Sequence, residues 1–173
     1  MATSKPALSE KLPAKAPRIV GQNDQEKFHQ GIHRRVAERA YGLYEAYGHE
    51  HGNDRAHWLQ AQNEILQHGL EVRESGSWLS INASLPDVDG DDIEVCLEPN
   101  RVIIRAEKSE ATQTTESHTQ GLAQRELFLM EDLLAEIDPE TVSGSFNDQK
   151  LTLMVKKRYP VTRASTEEPS TQS

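Results

Sequence analysis

The sequence has little cysteine and no long hydrophobic run. Its 173 residues include one cysteine, Cys96, so the chain cannot form an internal disulfide and suits a reducing compartment. No stretch approaches the roughly 18–20 consecutive apolar residues that a membrane-spanning helix needs. We therefore expect a cytoplasmic protein rather than a disulfide-stabilised scaffold or a membrane protein.

A surplus of basic residues is also missing, and aromatic residues are few. Asp and Glu outnumber Lys and Arg by 28 to 19, the net charge is −9, and aromatic residues make up 5% of the chain. A general nucleic-acid binder carries a basic stripe, so this balance argues against a nucleic-acid partner. With 35% hydrophobic residues and a mean hydropathy of −0.71, we expect a packed core over only part of the chain.

The sequence also lacks the usual motifs of catalysis and cofactor binding. There is no Gly-rich phosphate loop, and the two Ser-Gly-Ser triplets lack the strand–turn–helix context of a nucleophile elbow. Cys96 stands between Glu94 and Glu98, whose charges would raise the pKa of its thiol. We predict a protein that is not an enzyme and binds no cofactor.

Two pairs of predicted strands dominate the second half of the chain. Apolar and polar residues alternate over residues 93–97 and 102–106, with Pro99-Asn100 between them as a suitable turn. A second pair of arms, residues 142–146 and 151–155, flanks Asn147-Asp148-Gln149. Because neither hairpin can bury its apolar face alone, the two must pack together. This predicts a mainly β protein with an antiparallel β-sandwich over residues 70–158.

Residues 24–69 are predicted to form an α-helical hairpin. Apolar residues from Phe28 to Tyr47 recur at spacings of three and four, and Gly48 ends this first helix. Asp54 begins a second helix, which Gly69 ends. An isolated hairpin of this size is marginally stable, so we expect it to dock on another surface or to self-associate.

Three segments show no periodic pattern. Residues 1–23 and 159–173 are rich in small and polar residues, and we predict a disordered arm and a disordered tail there. Residues 109–124 are rich in Thr, Gln, Ser and Glu, which predicts a mobile loop.

His29 and His33 offer an alternative interpretation as metal ligands. They lie four residues apart on one helical face, a spacing at which two imidazoles can bind one transition-metal ion. No cysteine is near them in the sequence to strengthen this match. We therefore predict no metal site and interpret both histidines as solvated helix residues, with a metal site as the alternative.

Part of the hairpin resembles a small bacterial domain of unknown function. The similarity runs from Ile32 to Leu66 and is carried by I-H-R-R-V-A-E-R-A-Y-G-L-Y-E-A-Y-G, by the G-N-D turn, and by W-L-Q-A and E-I-L. It implies a helical hairpin without an established activity.

The β region resembles the α-crystallin domain of small heat-shock proteins. Five motifs carry the similarity: L-S-I-N-A-S-L-P-D-V from Leu79, D-I-E-V-C-L-E from Asp92, V-I-I-R-A-E-K from Val102, I-D-P-E-T-V from Ile137, and S-G-S-F-N-D-Q-K-L-T-L-M-V-K-K from Ser143. The resemblance implies an immunoglobulin-like antiparallel β-sandwich.

The sequence departs from that family in three places. Gln149 replaces a glycine that normally takes a positive φ, so we expect a strained turn. The loop at 109–124 is short and lacks the aromatic residue of the strand that bacterial relatives exchange between dimer partners. Residues 159–173 contain no Ile-x-Ile motif, which fills a groove on a neighbouring subunit in relatives. We expect a homodimer or a small homo-oligomer.

The resemblance implies an ATP-independent chaperone, a holdase that binds partly unfolded client proteins under stress and limits their aggregation. It implies a dimer interface that includes Arg125. The alternative function is a co-chaperone or adaptor of the same fold that binds one folded partner. We retain this alternative because the chain has an additional helical hairpin. The residues of the two strands that would flank a client groove are Ile93, Val95, Leu97, Val142 and Phe146.

Overall fold

The computed structural model describes residues 15–49, 51–112 and 121–159. In chain order the elements are β1 (Arg18–Ile19), α1 (Gln22–Ala46), α2 (Asp54–Ile65), β2 (Leu66–Gln67), β3 (Glu71–Ser75), β4 (Trp78–Ser84), β5 (Val88–Glu98), β6 (Arg101–Thr112), β7 (Gly121–Asp132), β8 (Ile137–Asn147) and β9 (Lys150–Lys157). No helix among the described residues is long and apolar enough to cross a membrane.

The strands form two sheets. One has the order β1-β5-β6-β7-β2, and the other has the order β3-β4-β9-β8. Pairing is antiparallel among β5, β6 and β7 and throughout the second sheet, which confirms the predicted sandwich. The two short strands at the edges of the first sheet, β1 and β2, pair in parallel with β5 and β7.

The interior between the sheets is built from the alternating apolar residues of both. On β4 the burial pattern switches at every residue, because successive side chains of a strand point to opposite faces. The largest side chains that are fully buried are Ile81, Leu85, Ile93, Leu97, Ile104, Ile137, Leu151 and Leu153.

Two-residue turns join the strands of both hairpins. Glu98 pairs with Arg101 across Pro99-Asn100, as the turn chemistry predicts. Between β8 and β9, Asp148 and Gln149 have φ values of 49° and 62°. The expected positive φ at Gln149 is therefore confirmed, at a position where a side chain costs conformational energy.

The helical hairpin packs on the outer face of the first sheet. Helix α1 begins at Gln22, two residues before the predicted start at residue 24, with Gly21 as its N-cap, and it is followed by Gly48 at a φ of 77°. Helix α2 ends at Ile65, and the chain then continues into β2 instead of remaining helical to Gly69. The predicted requirement for a docking surface is met by the sheet itself.

Two segments differ from their prediction as unstructured chain. The last part of the predicted arm, residues 15–23, contains β1 and the start of α1. Strands β6 and β7 extend to Thr112 and from Gly121, which leaves only residues 113–120 of the predicted loop outside the described residues. Residues 1–14 and 160–173, the rest of the predicted arm and most of the tail, also lie outside them.

Candidate functional site

At one edge of the sandwich, β5 of the first sheet lies next to β8 of the second, and only the two residues of β1 extend the first sheet beyond β5. Residues 15–20, which we call the N-terminal segment, lie along this edge and pair with both strands. Edge strands carry unpaired backbone groups that bind extended peptide. The backbone groups of β5 and β8 that bind the segment are therefore groups that can pair with an extended peptide.

Backbone hydrogen bonds connect the N-terminal segment to both sheets. Lys15 N donates to Phe146 O at 3.2 Å, and Phe146 N donates to Lys15 O at 2.8 Å. Further along, Ile19 is in register with Val95 of β5, and Val20 N donates to Val95 O at 2.8 Å. The segment thus starts on the β8 edge and ends on the β5 edge.

Two glycines provide the space that the segment occupies. A Cβ atom at Gly144 would lie 2.9 Å from Cγ of Pro17, and one at Gly90 would lie 2.6 Å from Cβ of Lys15. Both distances are shorter than carbon atoms tolerate without a shift. Pro17 is buried, so the segment fits the groove through close backbone contact.

Ion pairs hold the segment from the solvent side. Lys15 Nζ donates to Asp89 Oδ1 at 2.5 Å and to Asp91 Oδ2 at 2.7 Å, and Arg18 donates to Glu94 at 2.5 Å. The side-chain hydrogen bond from Lys15, with a backbone bond from Asp91, lowers the pKa of Asp89. Exposed ion pairs contribute little individually, so backbone pairing and the burial of Pro17 and Val20 hold the segment more than the charge of Lys15 does.

The five side chains predicted to flank a groove lie at different depths. Ile93, Val95 and Leu97 are 0%, 0% and 2% exposed and point into the interior between the sheets. Val142 is half-buried, and Phe146 is 9% exposed beside Lys15. Their strands do flank the groove, but the first three offer only backbone groups to an occupant. Client binding at this groove stays a prediction.

Arg125 lies exposed on β7, in register with Lys108 of β6. Its place in a dimer interface stays a prediction.

His29 and His33 point to different surroundings. His29 Nε2 lies 2.7 Å from Glu98 Oε1, whereas the ring of His33 packs on Trp58 with centroids 4.8 Å apart. The two histidines therefore do not face one common ion. His29 lies instead beside Cys96 and Glu98, which are far from it in the sequence.

Cys96 is covered by the hairpin. It belongs to a buried cluster that joins the sheet's outer face to both helices, although the alternation placed it on a polar face. Burial, followed by the charge of Glu98, raises the pKa of the Cys96 thiol to about 11. The predicted direction of this shift is confirmed, and such a thiol is a poor nucleophile. The other members of the cluster are Val20, Ile32, Val36, Leu43, Ala61, Leu66, Ile103 and Phe128.

A row of charges borders this cluster on the outer face. Arg105 donates to Glu94 at 2.7 Å and to Glu126 at 2.5 Å, and Glu126 also accepts a hydrogen bond from Arg35 of α1. Burial alone would raise the pKa of Glu126, but the bonds from Arg105 and Arg35 outweigh it and hold the pKa below its usual value. These bonds link helix α1 to the sheet.

The fold therefore defines an antiparallel β-sandwich with a groove at one edge and a helical hairpin on its outer face. The Hsp20/alpha crystallin family model matches residues 71–168, so the chain belongs to this family of small heat-shock chaperones. Residues 33–67 match the model of a protein of unknown function, DUF2934.

Solved structures of small heat-shock proteins are similar to this chain. Heat shock protein 16.0 from Schizosaccharomyces pombe is 20% identical, with a TM-score of 0.42, and the match covers 62% of this chain and 99% of that one. For hspA from Xanthomonas axonopodis the values are 19% identity, a TM-score of 0.44, and coverage of 53% and 93%. A small heat-shock protein from Xylella fastidiosa is 20% identical, with a TM-score of 0.44 and coverage of 57% and 92%. No curated protein matches the chain.

Proposed function

We propose that this protein is an ATP-independent holdase that binds partly unfolded client proteins and limits their aggregation. Membership of a chaperone family supports this. The observation that carries the proposal is an extended segment paired with both β5 and β8. We propose that an unfolded client, which also presents extended backbone and apolar side chains, binds the same edge.

In this mechanism the N-terminal segment and the client compete for one groove. The segment has two backbone hydrogen bonds at Lys15, the two-residue pairing of β1 with β5, one further backbone hydrogen bond at Val20 and a few ion pairs, a short set of contacts that favours reversible release. When client is abundant, mass action raises the fraction of grooves that hold client instead of the segment, and this needs no nucleotide. The net charge of −9 favours solubility of the resulting complex.

The holdase proposal is tested by heating several unrelated proteins with near-equimolar amounts of the full chain and following light scattering. We expect scattering to fall for each of them. An adaptor would leave scattering unchanged and would instead co-purify with one folded partner. The packing of an additional hairpin on the sheet's outer face favours the adaptor as the second candidate, because it adds a surface beyond the sandwich.

The groove mechanism is tested by Lys15→Glu combined with Arg18→Glu. Both side chains are exposed and paired with acids, so reversal loosens the segment while it leaves the core intact. We expect this variant to suppress aggregation at a lower ratio of chaperone to client. Lys27→Glu, a charge reversal on α1 at an 82% exposed side chain, is the matched control. Equal suppression by all three proteins would reject competition at the groove but would leave holdase activity standing.

We further propose that the protein is cytoplasmic and forms a homodimer or small homo-oligomer. Its single, buried cysteine supports a reducing compartment.

A further inference from the structure

Three side chains of different chemistry converge where α1 crosses β5. Cys96 and Glu98 are two residues apart on β5, so both point to the outer face of the sheet. His29 reaches them from α1, and one ligand atom of each residue lies within 4.8 Å of the others. The three atoms are an imidazole nitrogen, a thiol sulfur and a carboxylate oxygen.

We propose that His29, Cys96 and Glu98 form a binding site for one divalent transition-metal ion, with Zn²⁺ as the best match. Sulfur, imidazole nitrogen and carboxylate oxygen are the ligand types of zinc sites in proteins, and three protein ligands leave a fourth position for water. A thiolate ligand disfavours Mg²⁺ and Ca²⁺, which prefer oxygen. This site is independent of client binding at the groove.

The spacing of the three atoms is close to that of a tetrahedral zinc site. With Zn–N and Zn–O bonds of about 2.0–2.2 Å and a Zn–S bond of about 2.3 Å, the N···O separation is about 3.3 Å and the S···N separation about 3.6 Å. The His29 nitrogen and the Glu98 oxygen are 2.7 Å apart and must open by roughly 0.6 Å. The sulfur, within 4.8 Å of both, must approach by at most about 1.2 Å.

Two of the three ligand side chains can move to bind an ion, whereas the third is held in place. The side chains of His29 and Glu98 are 42% and 27% exposed, so they can rotate and give an ion access from solvent. Cys96 is fully buried and supplies a fixed point. One turn before His29, the Gln25 amide donates to Leu97 O at 3.1 Å, which holds the helix against β5 beside the cluster.

The ion-pair contact between His29 and Glu98, with an N···O distance of 2.7 Å, already accounts for the position of those two residues. The Cys96 thiol distinguishes this cluster from an ordinary helix–sheet contact. It adds a soft ligand at a position where a bound ion would bridge α1 and β5. Bound metal should therefore stabilise the docked hairpin, since an ion that binds only the folded arrangement raises the unfolding temperature.

The test is a Co²⁺ titration of the full chain, purified without a histidine tag. Co²⁺ substitutes for Zn²⁺ and gives a sulfur-to-cobalt charge-transfer band in the near ultraviolet when a thiolate binds it. We expect this band to saturate at one equivalent, to disappear when Zn²⁺ is added, and to be accompanied by a higher unfolding temperature.

Three variants assign the ligands. Cys96→Ser should abolish the charge-transfer band. His29→Gln and Glu98→Gln, at partly exposed positions that do not threaten folding, should each weaken Co²⁺ affinity at least about tenfold, since even indirect partners of a metal site contribute that much. His33→Gln, one turn along the same helix, is the matched control and should bind Co²⁺ as the wild type does.

Two results would overturn the proposal. One is a wild-type titration without a sulfur-to-cobalt band. The other is Co²⁺ affinity that is unchanged in both His29→Gln and Glu98→Gln, which would place the ion elsewhere.

Discussion

Gln149 is the residue at which the β8–β9 turn takes its least favourable backbone conformation. A side chain at a φ of 62° costs about 1–2 kcal/mol, because its Cβ approaches the neighbouring carbonyl. Gln149→Gly removes that cost and adds about 0.5–1 kcal/mol of unfolded-chain entropy. We expect a net gain in the free energy of unfolding of roughly 0.5–1 kcal/mol, measured as a higher urea midpoint at unchanged slope.

Lys150→Gly, one residue further on, is the control for this turn. Lys150 lies in β9, where glycine lowers stability. If both glycine variants lowered the urea midpoint equally, the turn would carry no strain at Gln149.

Glu126 gives the stability of the protein a pH dependence. Despite burial, its pKa in the folded protein lies below the ordinary glutamate value of 4.5, because Arg105 and Arg35 donate to it, so its contribution is fully present above that pH and is lost as the pH falls through the lower, folded-state pKa. Glu126→Gln should therefore be less stable than the wild type at neutral pH. The difference should vanish in acid, where the wild-type carboxyl is protonated in both states.

Urea denaturation of both proteins between neutral pH and strong acid measures this convergence. A difference in the free energy of unfolding that stayed constant over the whole pH range would mean that the bonds from Arg35 and Arg105 do not act through the charge of Glu126.

At the scale of elements, the sequence predicted the strands better than their surroundings. Alternation on β4 and β9 specifies one buried face each, and burial follows it residue by residue. On β5 the burial of Cys96 between Val95 and Leu97 breaks this pattern. Alternation predicts one buried face for β5 and β6, yet the hairpin also covers side chains on the outer face of this sheet. The available signal was the unbroken apolar runs 102–104 and 127–130, since a strand buried on both faces loses its alternation.

The N-terminal segment could not be predicted from its own residues. Lys-Ala-Pro-Arg-Ile-Val has no period, and its strand is only two residues long. Its structure depends on edges that β5 and β8 present from far along the chain. The same holds for the meeting of His29 with Cys96, because only the docking of α1 brings these distant residues together.

Gly90 leaves space that the N-terminal segment occupies, so a larger residue there should displace the segment. In Gly90→Ala the added methyl group would lie 2.6 Å from Cβ of Lys15, so it should displace the segment. We expect limited trypsin digestion to cleave after Lys15 and Arg18 faster than in the wild type. Gly31→Ala, whose methyl group meets nothing within 4 Å, is the matched control. Equal cleavage rates in the wild type and Gly90→Ala would show that the segment does not depend on the space at Gly90.

At the scale of the molecule, the described sheet edges are protected in different ways. The N-terminal segment covers β5 and β8, and β2 covers part of β7. Strand β3 is an open edge, and all five of its residues are exposed, with charges at Glu71, Arg73 and Glu74. Charged edges resist pairing with other chains. The β5–β8 edge is thus the one whose cover can be exchanged for another extended chain.

This exchange connects the groove to assembly size. While the segment occupies its own subunit's groove, that groove cannot bind a neighbour, so sedimentation velocity of the wild type should give a dimer or small oligomer. In Lys15→Glu combined with Arg18→Glu the groove is vacated more often, and a segment of one subunit can reach the groove of another, as in domain swapping. The mean mass of this variant should therefore rise with protein concentration, while Lys27→Glu sediments as the wild type does. A wild-type assembly many times the mass of a dimer would contradict this model, because contacts outside the groove would then control association.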